Sequence, residues 1–172
     1  DDAVEALSQK QSVSADWTRL GWSITGSIDR AKEDVIHPIL ESAERRQDFE
    51  TYAEWTGYDD ALNEDVIQTF FILRVTAVYL IATNAEAEWN AYQDQLLVAL
   101  DGIEQWERLV SGNPELETAA EEIKGYLTEY RQAGQGFYNA VLAEQAASET
   151  MITTANAVLD AVGDLKESQE DA

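Results

Sequence analysis

Apolar residues recur at steps of three and four positions over most of the chain. In segment 66–80 the resulting stripe consists of Val66, Phe70, Leu73, Ala77 and Leu80. Two later stripes run through Trp89, Leu96, Leu100, Ile103, Trp106 and Val110, and through Leu116, Ile123, Leu127, Tyr130, Phe137, Val141, Ile152, Ala155, Leu159, Val162 and Leu165. This spacing is typical of helices that bury one face in a bundle. No Asn-Gly or Asp-Gly pair lies between alternating apolar residues, so hairpins are not predicted and the fold class is all-α.

Helix ends are marked at three places. Segment 57–60 (Gly-Tyr-Asp-Asp) offers a glycine stop followed by aspartate caps. Segment 83–86 (Thr-Asn-Ala-Glu) offers a polar cap and an acidic first turn. Segment 111–115 (Ser-Gly-Asn-Pro-Glu) combines a glycine stop, an asparagine cap and a proline at the first helical position. These breaks predict four helices, at residues 3–56, 60–83, 85–111 and 114–168.

The predicted lengths indicate how the helices are arranged. Helices 1 and 4 are each about 55 residues, or roughly 80 Å, and helices 2 and 3 are about half as long. The prediction is an up-down four-helix bundle with two long outer helices (1 and 4), two shorter helices (2 and 3), and a two-helix stalk below about Ala31 and Asn139. Two helices cannot bury the apolar residues that continue there, so we expect a homodimer through helix 1 and helix 4. The stalk residues of helix 1 are Trp17, Leu20, Trp22, Ile24 and Ile28.

The charge balance excludes several kinds of partner. The chain has 172 residues and a formal net charge of −23, from 34 acidic and 11 basic residues. Nucleic acids and anionic membrane surfaces are bound by basic faces, so neither is a predicted partner. An acidic surface also suits salty water, where screening relieves self-repulsion, and a marine or halophilic source would fit it.

The residue types that catalysis and metal binding require are scarce. The sequence contains one histidine and no cysteine, so hydrolase triads, thiolate nucleophiles and zinc sites are not predicted. Glu33 and His37 are four positions apart, whereas the di-iron bundle motif needs three and a second histidine. Calcium loops and glycine-rich phosphate loops are also missing. The prediction is a protein that is not an enzyme and uses no metal or cofactor.

Two stretches resemble a known family. The stretch LRVTAVYLIATNAEAEW (73–89) is similar to the second helix, and YLTEYRQAGQGFYNAVLAEQAASETM (126–151) to the fourth, of the extracytoplasmic sensor domains of bacterial methyl-accepting chemotaxis proteins. The order of long, short, short and long helices resembles the same group. The chain is too short for the six helices of the helical bimodular type, so the four-helix version fits better.

This resemblance implies a location and a role. It implies a periplasmic domain of an inner-membrane receptor, flanked by two transmembrane helices, that binds a small ligand and passes a small helix movement inward. The chain begins with Asp1 and Asp2 rather than methionine, and residues 1–172 therefore look like a single sensor domain excised from a longer protein.

An arginine inside an apolar helix is the main candidate for ligand binding. Between Phe70 and Ala82 the clear polar exceptions are Arg74 and Thr76, and this run is shorter than the roughly 20 residues of a membrane span. Counted from the predicted turns, Arg74 lies at the level of Arg131, and two guanidinium groups there could clamp a carboxylate. Neighbours expected at this level are His37, Tyr79, Tyr130 and Tyr138, with Gly134 and Gly136 leaving room for a ligand. A second candidate pair, near the distal turn, is Arg45 and Arg46.

Several alternatives fit the same residues. Arg74 and Arg131 could pair with acidic side chains of neighbouring helices, which would leave no cavity. The ligand could be a carboxylate or amino acid bound by arginine, or a cationic or heterocyclic compound stacked on tryptophan and tyrosine. The domain could also belong to a sensor histidine kinase, or be a dimeric helical interaction module that binds no ligand.

Overall fold

The computed structural model describes residues 2–170, and all regular secondary structure in that range is helical, which confirms the all-α class. The first helix, α1 (residues 2–46), contains an α-helix Asp2–Arg30, a π-helical segment Ala31–Ile36 and an α-helix His37–Arg46. The second, α2 (Phe49–Thr83), contains a π-helical segment Leu62–Gln68 between Phe49–Ala61 and Thr69–Thr83. The third, α3, is Glu86–Leu109, and the fourth, α4, is Pro114–Glu170.

The turn between the first two helices lies at residues 47–48, so the predicted break at 57–60 is wrong. Gln47 ends α1 in the left-handed conformation, with φ of 57°. Asp48 then caps α2, because its carboxylate accepts hydrogen bonds from the Thr51 backbone N–H (3.2 Å) and hydroxyl (2.9 Å). The same hydrogen bonds lower the pKa of Asp48. Gly57 therefore lies inside α2.

The other two turns agree with the predicted positions. Asn84 ends α2 in the left-handed conformation, and its N–H donates to the Leu80 carbonyl at 2.8 Å. At the later turn Gly112 has φ of 96°, and the Asn113 side chain accepts from the Leu116 N–H at 3.3 Å. Asparagine and glycine adopt positive φ at low cost, which is why these turns were recognisable.

The earlier first turn changes what surrounds the lower half of α1. Because α2 starts at Phe49, it runs back far enough for Ile81 to share a surface groove with Ser14 of α1. Trp17, Leu20, Ile24 and Ile28 are consequently buried in a core to which all four helices contribute, and not in a two-helix stalk. Trp22, assigned to the same stalk, is instead 63% exposed.

The helix 1 residues on which the homodimer prediction rested are thus not available to a second subunit, apart from Trp22. On the helix 4 side the tail remains uncovered: residues 148–164 are all exposed. Its large apolar side chains are Met151, Ile152, Val158, Leu159 and Val162.

The helix α2 is apolar on both its inner and its outer side. Phe70, Leu73, Ala77 and Leu80 are buried in the core, whereas apolar neighbours on the opposite side are exposed. By length and composition α2 could cross a membrane, since its most apolar window has a mean hydropathy of 1.8, and 28% of that window is buried. Core helices of soluble bundles meet the same criterion, so this is weak evidence for a span.

The position of the first turn can be tested at Gly57. We expect Gly57→Ala to raise the free energy of unfolding by about 0.5–1 kcal/mol, because alanine is the better helix former and a Cβ there meets nothing within 4 Å. Chemical denaturation followed by circular dichroism measures the change.

The matched control is Gly112→Ala, which also has open space but a φ of +96°. We expect this change to lower the free energy of unfolding by about 1 kcal/mol, since alanine is strained at positive φ. Equal destabilisation by both substitutions would show that the chain turns at Gly57 after all.

Candidate functional site

Arg74 lies between α1 and α2, half-buried, with its guanidinium group against aromatic rings. Its Cζ is 4.8 Å from the centre of the Trp22 ring and 6.0 Å from that of Phe70, within the range of cation–π interactions. On α1 the arginine passes beside Gly21: a Cβ at that position would be 3.6 Å from Arg74 Nε, an ordinary van der Waals distance. The Arg74 side chain therefore lies against α1 at Gly21 and Trp22.

The N–H groups of Arg74 have no acceptor among the described residues. Other basic side chains do form ion pairs: Arg30 Nη2 lies 2.7 Å from Glu122 Oε2, and Lys124 Nζ lies 2.7 Å from Glu107 Oε2. Lys10, Arg19, Lys32 and Arg45 pair with Glu144, Asp16, Asp59 and Glu41, respectively. Within the described residues Arg74 forms no ion pair, and it differs from Arg46, Arg108 and Arg131, which form none there either, in being half-buried and not exposed.

The segments around Arg74 contain no acidic residues. Residues 66–85 form the longest stretch of the sequence without Asp or Glu, and 17–28 and 130–143 are two further such stretches. The three lie side by side, because the Cβ position of Gly21 is close to both Arg74 (3.6 Å) and Tyr130 (3.7 Å). In a chain of net charge −23, an anion meets less repulsion beside this acid-free band than beside the acidic segments of the same helices.

An aromatic cluster fills the core behind Arg74. The Trp17 ring centre is 5.0 Å from that of Tyr92, 5.4 Å from Tyr130 and 5.7 Å from Phe137. The Tyr92 hydroxyl donates to the Tyr130 carbonyl at 3.1 Å. Burial raises the pKa of Tyr130, and the nearby Arg74 charge opposes that shift. The cluster is a packed support for the arginine, and Tyr130 belongs to it as a core residue.

Gly134 does not leave room for a ligand. A Cβ there would lie 2.6 Å from the hydroxyl oxygen of Tyr92, so the Tyr92 ring already occupies the space beside it. Gly136 faces Val13 at 3.6 Å. Tyr138, predicted at the site, is stacked on Trp89 with ring centres 4.6 Å apart and an interplanar angle of 8°. This region is closed by packing.

Arg131 has neighbours that differ from those of Arg74. It is exposed on α4 and makes no ion pair within the described part of the chain. Burial and the neighbouring Tyr130 raise the pKa of Tyr92, while the Arg131 charge opposes the shift. Arg131 thus lies near Tyr92 of α3, whereas Arg74 contacts α1.

The remaining predicted residues lie away from Arg74. His37 is about ten residues from the turn at 47–48 and Arg74 about 26, which separates them by roughly 24 Å along the helices. The Nδ1 atom of His37 lies 3.2 Å from Glu33 Oε2 on the same helix. Arg45 lies 3.5 Å from Glu41, and Arg46 Nε donates to the Ser42 carbonyl at 3.3 Å, both within α1. The prediction that His37 shares the level of Arg74 was wrong, because it depended on a turn at Gly57.

An open surface groove lies beside Arg74. Its volume is about 470 Å³, and it is lined by Phe71, Arg74, Val75, Val78 and Tyr79. Trp22 stands next to it through its contact with the guanidinium. Sequence reasoning missed Trp22 as a site residue, although its position two residues after Leu20 takes it off the buried stripe. The groove offers one cation and an apolar wall, which suits an organic anion.

Neither a metal-binding cluster nor a similar known protein helps to identify what this site binds. Among the described residues, no group of three or more histidine, aspartate or glutamate side chains could hold a metal ion. No family model matches the sequence, and no curated protein or solved structure is significantly similar to it. The site therefore has to be interpreted from its own chemistry.

Proposed function

We propose that this chain is the periplasmic sensor domain of a bacterial transmembrane chemoreceptor of the methyl-accepting type, and that it binds a small organic anion beside Arg74. The proposed architecture is an up-down four-helix bundle, and the proposed receptor is a homodimer anchored in the inner membrane. The resemblance of segments 73–89 and 126–151 to such domains supports this role. The exposed apolar stripe on the tail of α4 supports contact with a second copy along that helix.

The observation that carries the proposal is the free guanidinium of Arg74. Holding an arginine half-buried without an acceptor is unfavourable, because its donors lose water without gaining a partner. A carboxylate accepts two parallel N–H bonds from arginine and would satisfy those donors. The acid-free band lowers the electrostatic cost of bringing that anion to the surface. We therefore favour a carboxylate or an amino acid as the ligand.

Binding at this position would act on the contact between two helices. Arg74 belongs to α2 and lies against Trp22 of α1, so an anion that draws the guanidinium outward changes how α1 packs on α2. A ligand that binds one packing arrangement better than another shifts the equilibrium towards it. Since α1 packs along α4, the displacement would reach both helices on which the resemblance places the transmembrane segments.

A thermal-shift screen tests ligand binding. Small carboxylates and amino acids, with amines and purines as contrasting classes, are added to the purified domain and to Arg74→Ala. At about 100 times its dissociation constant a ligand stabilises the folded state by about 2.7 kcal/mol, or roughly 5–10 °C for a chain of this size. We expect a carboxylate to raise the Tm of the wild type and not that of Arg74→Ala.

Three further variants show which features of Arg74 cause the thermal shift. Arg74→Lys keeps the charge but not the two parallel donors, so a reduced shift would indicate bidentate binding. Arg45→Ala removes an equal charge near the distal turn and should leave the shift unchanged. Arg131→Ala should also leave it unchanged, unless both arginines clamp the ligand. If no compound raises the Tm and Arg74→Ala alone lowers it, Arg74 is structural and the proposed site is wrong.

A further inference from the structure

The exposed side of α2 is apolar where a surface helix is normally polar. We name the residues Phe71, Ile72, Val75, Val78 and Tyr79 the α2 outer face. Phe71 is 66% exposed, Val78 64% and Tyr79 60%. A helix that is apolar all round is usually covered on every side, yet nothing within the described chain covers this face.

The outer face is also the surface that an acidic partner can approach most easily. It lies within residues 66–85, the longest stretch without Asp or Glu, and Arg74 on its edge is the single charged side chain there. Two copies of a chain with net charge −23 repel each other. A contact through this face keeps the carboxylates of both copies at its periphery, and the apolar burial is then opposed only by long-range repulsion.

A bilayer does not fit this face. Glu88 of α3 lines a small groove together with Thr76 and Tyr79 of α2, so a carboxylate lies directly beside the outer face. Inserting α2 into hydrocarbon would carry Glu88 with it, which is strongly unfavourable for an ionised carboxylate. A flat protein surface can cover the apolar side chains and leave Glu88 at the solvent-exposed rim of the interface.

The size of the face matches a protein interface. Large aromatic side chains bury about 150–250 Å² each when fully covered. Phe71 and Tyr79 of the face are 66% and 60% exposed, and Trp22 of α1, which borders the face through its contact with Arg74, is 63% exposed, so each offers roughly 100–150 Å². With Ile72, Val75 and Val78 added, the face and Trp22 together approach the roughly 800 Å² per partner that a stable interface buries.

We propose that the α2 outer face packs against the same face of a second copy, as a two-fold symmetric interface with Val75 near its centre. In such an isologous contact one patch serves both subunits, so no other surface is needed. This pairing takes the place of the helix 1 residues through which a homodimer was predicted, and it goes beyond the proposed sensing function because it requires no ligand. Phe71, Val75, Val78 and Tyr79 also line the groove beside Arg74, so an anion bound to Arg74 would lie at the rim of this interface. Salt should strengthen it, since screening weakens the repulsion between the copies.

Sedimentation velocity of the full chain tests the proposal. We expect a concentration-dependent dimer whose dissociation constant falls as sodium chloride is raised. Val78→Glu places a carboxylate inside each half of the face and should raise the dissociation constant at least tenfold. The matched control is Leu97→Glu on α3, which is exposed to a similar degree, 66% against 64%, and should leave the dimer intact. Circular dichroism melting verifies that both variants fold.

Cysteine cross-linking locates the interface independently of stability. The chain contains no cysteine, so Val75→Cys introduces a single thiol, which should form an intermolecular disulfide on mild oxidation. Leu97→Cys, on α3, should not do so to the same extent. Three results would overturn the proposal: a monomer at all concentrations and salt levels, a dimer unaffected by Val78→Glu, or cross-linking at Leu97 alone. Binding of the chain to neutral lipid vesicles that Val78→Glu abolishes would also overturn it.

Discussion

Gly102→Ala is expected to lower the free energy of unfolding by about 3 kcal/mol or more, which is at the upper end for an overpacked core. The added Cβ would lie 1.9 Å from the carbonyl oxygen of Asp65 and 2.9 Å from its carbonyl carbon. Both atoms belong to the backbone of α2, so no side-chain rotation relieves the contact. The two helices would have to move apart, and the expected fall in Tm is roughly 6–12 °C.

The matched control is Gly125→Ala, in the N-terminal part of α4, where a Cβ meets nothing within 4 Å. Alanine favours the helix there, so we expect the free energy of unfolding to rise by about 0.5–1 kcal/mol. Chemical denaturation of both variants measures the difference. If Gly102→Ala is as stable as the wild type, α2 and α3 do not approach as closely as the structure has them.

The close approach at Gly102 coincides with the π-helical segment of α2. The wider turns of a π-helix interrupt the regular hydrogen bonding of an α-helix and often occur at functional sites. Side chains of α3 donate to carbonyls on both sides of this segment: Gln95 Nε2 to Thr69 at 3.0 Å, and Trp106 Nε1 to Tyr58 at 3.1 Å. The Thr69 hydroxyl donates to the Asp65 carbonyl at 2.6 Å. Helix α3 therefore fits the irregular part of α2, and Gly102 allows the contact.

How far the sequence predicted the fold depended on the chemistry of each turn. The turns at 84–85 and 110–113 use asparagine, glycine and proline, whose backbone preferences are strong and local. The turn at 47–48 instead uses Gln47 in the left-handed conformation, a residue with no preference for it. Gly57 followed by two aspartates is a stronger local signal for a turn than Gln47 followed by Asp48, and tertiary packing overrode it.

Most of the wrong predictions about the site follow from the wrong position of that single turn. Arg74 itself was identifiable, because a charge inside an apolar run needs an explanation at whatever level it lies. Its neighbours were not identifiable, because moving one turn by about ten residues shifts the register of α1 against α2 by about twenty residues, or roughly 30 Å. His37 was therefore placed beside Arg74 in error, and Trp22 was assigned to a stalk. The free donors of Arg74 depend on the positions of all 34 acidic residues, which no local pattern contains.

The second large effect is expected at Trp17. We expect Trp17→Ala to lower the free energy of unfolding by about 3–5 kcal/mol, the range for a buried tryptophan replaced by alanine. The side chain is 1% exposed and joins three aromatic rings from α3 and α4, those of Tyr92, Tyr130 and Phe137. Its loss leaves a cavity that rigid neighbouring rings cannot fill. Denaturation followed by tryptophan fluorescence and circular dichroism measures the loss.

Trp22→Ala is the natural comparison, because the same residue type stands five positions later and is 63% exposed. Its stacking with Arg74 is worth about 0.5–1 kcal/mol at such a site, so the monomer should lose little stability. The two substitutions also separate the core from a subunit contact: Trp17→Ala should destabilise by the same amount at every protein concentration, whereas stabilisation by association varies with concentration. If the effect of Trp17→Ala instead grows with protein concentration, Trp17 belongs to an interface between subunits. The two-helix stalk would then have to replace the four-helix core around the lower half of α1.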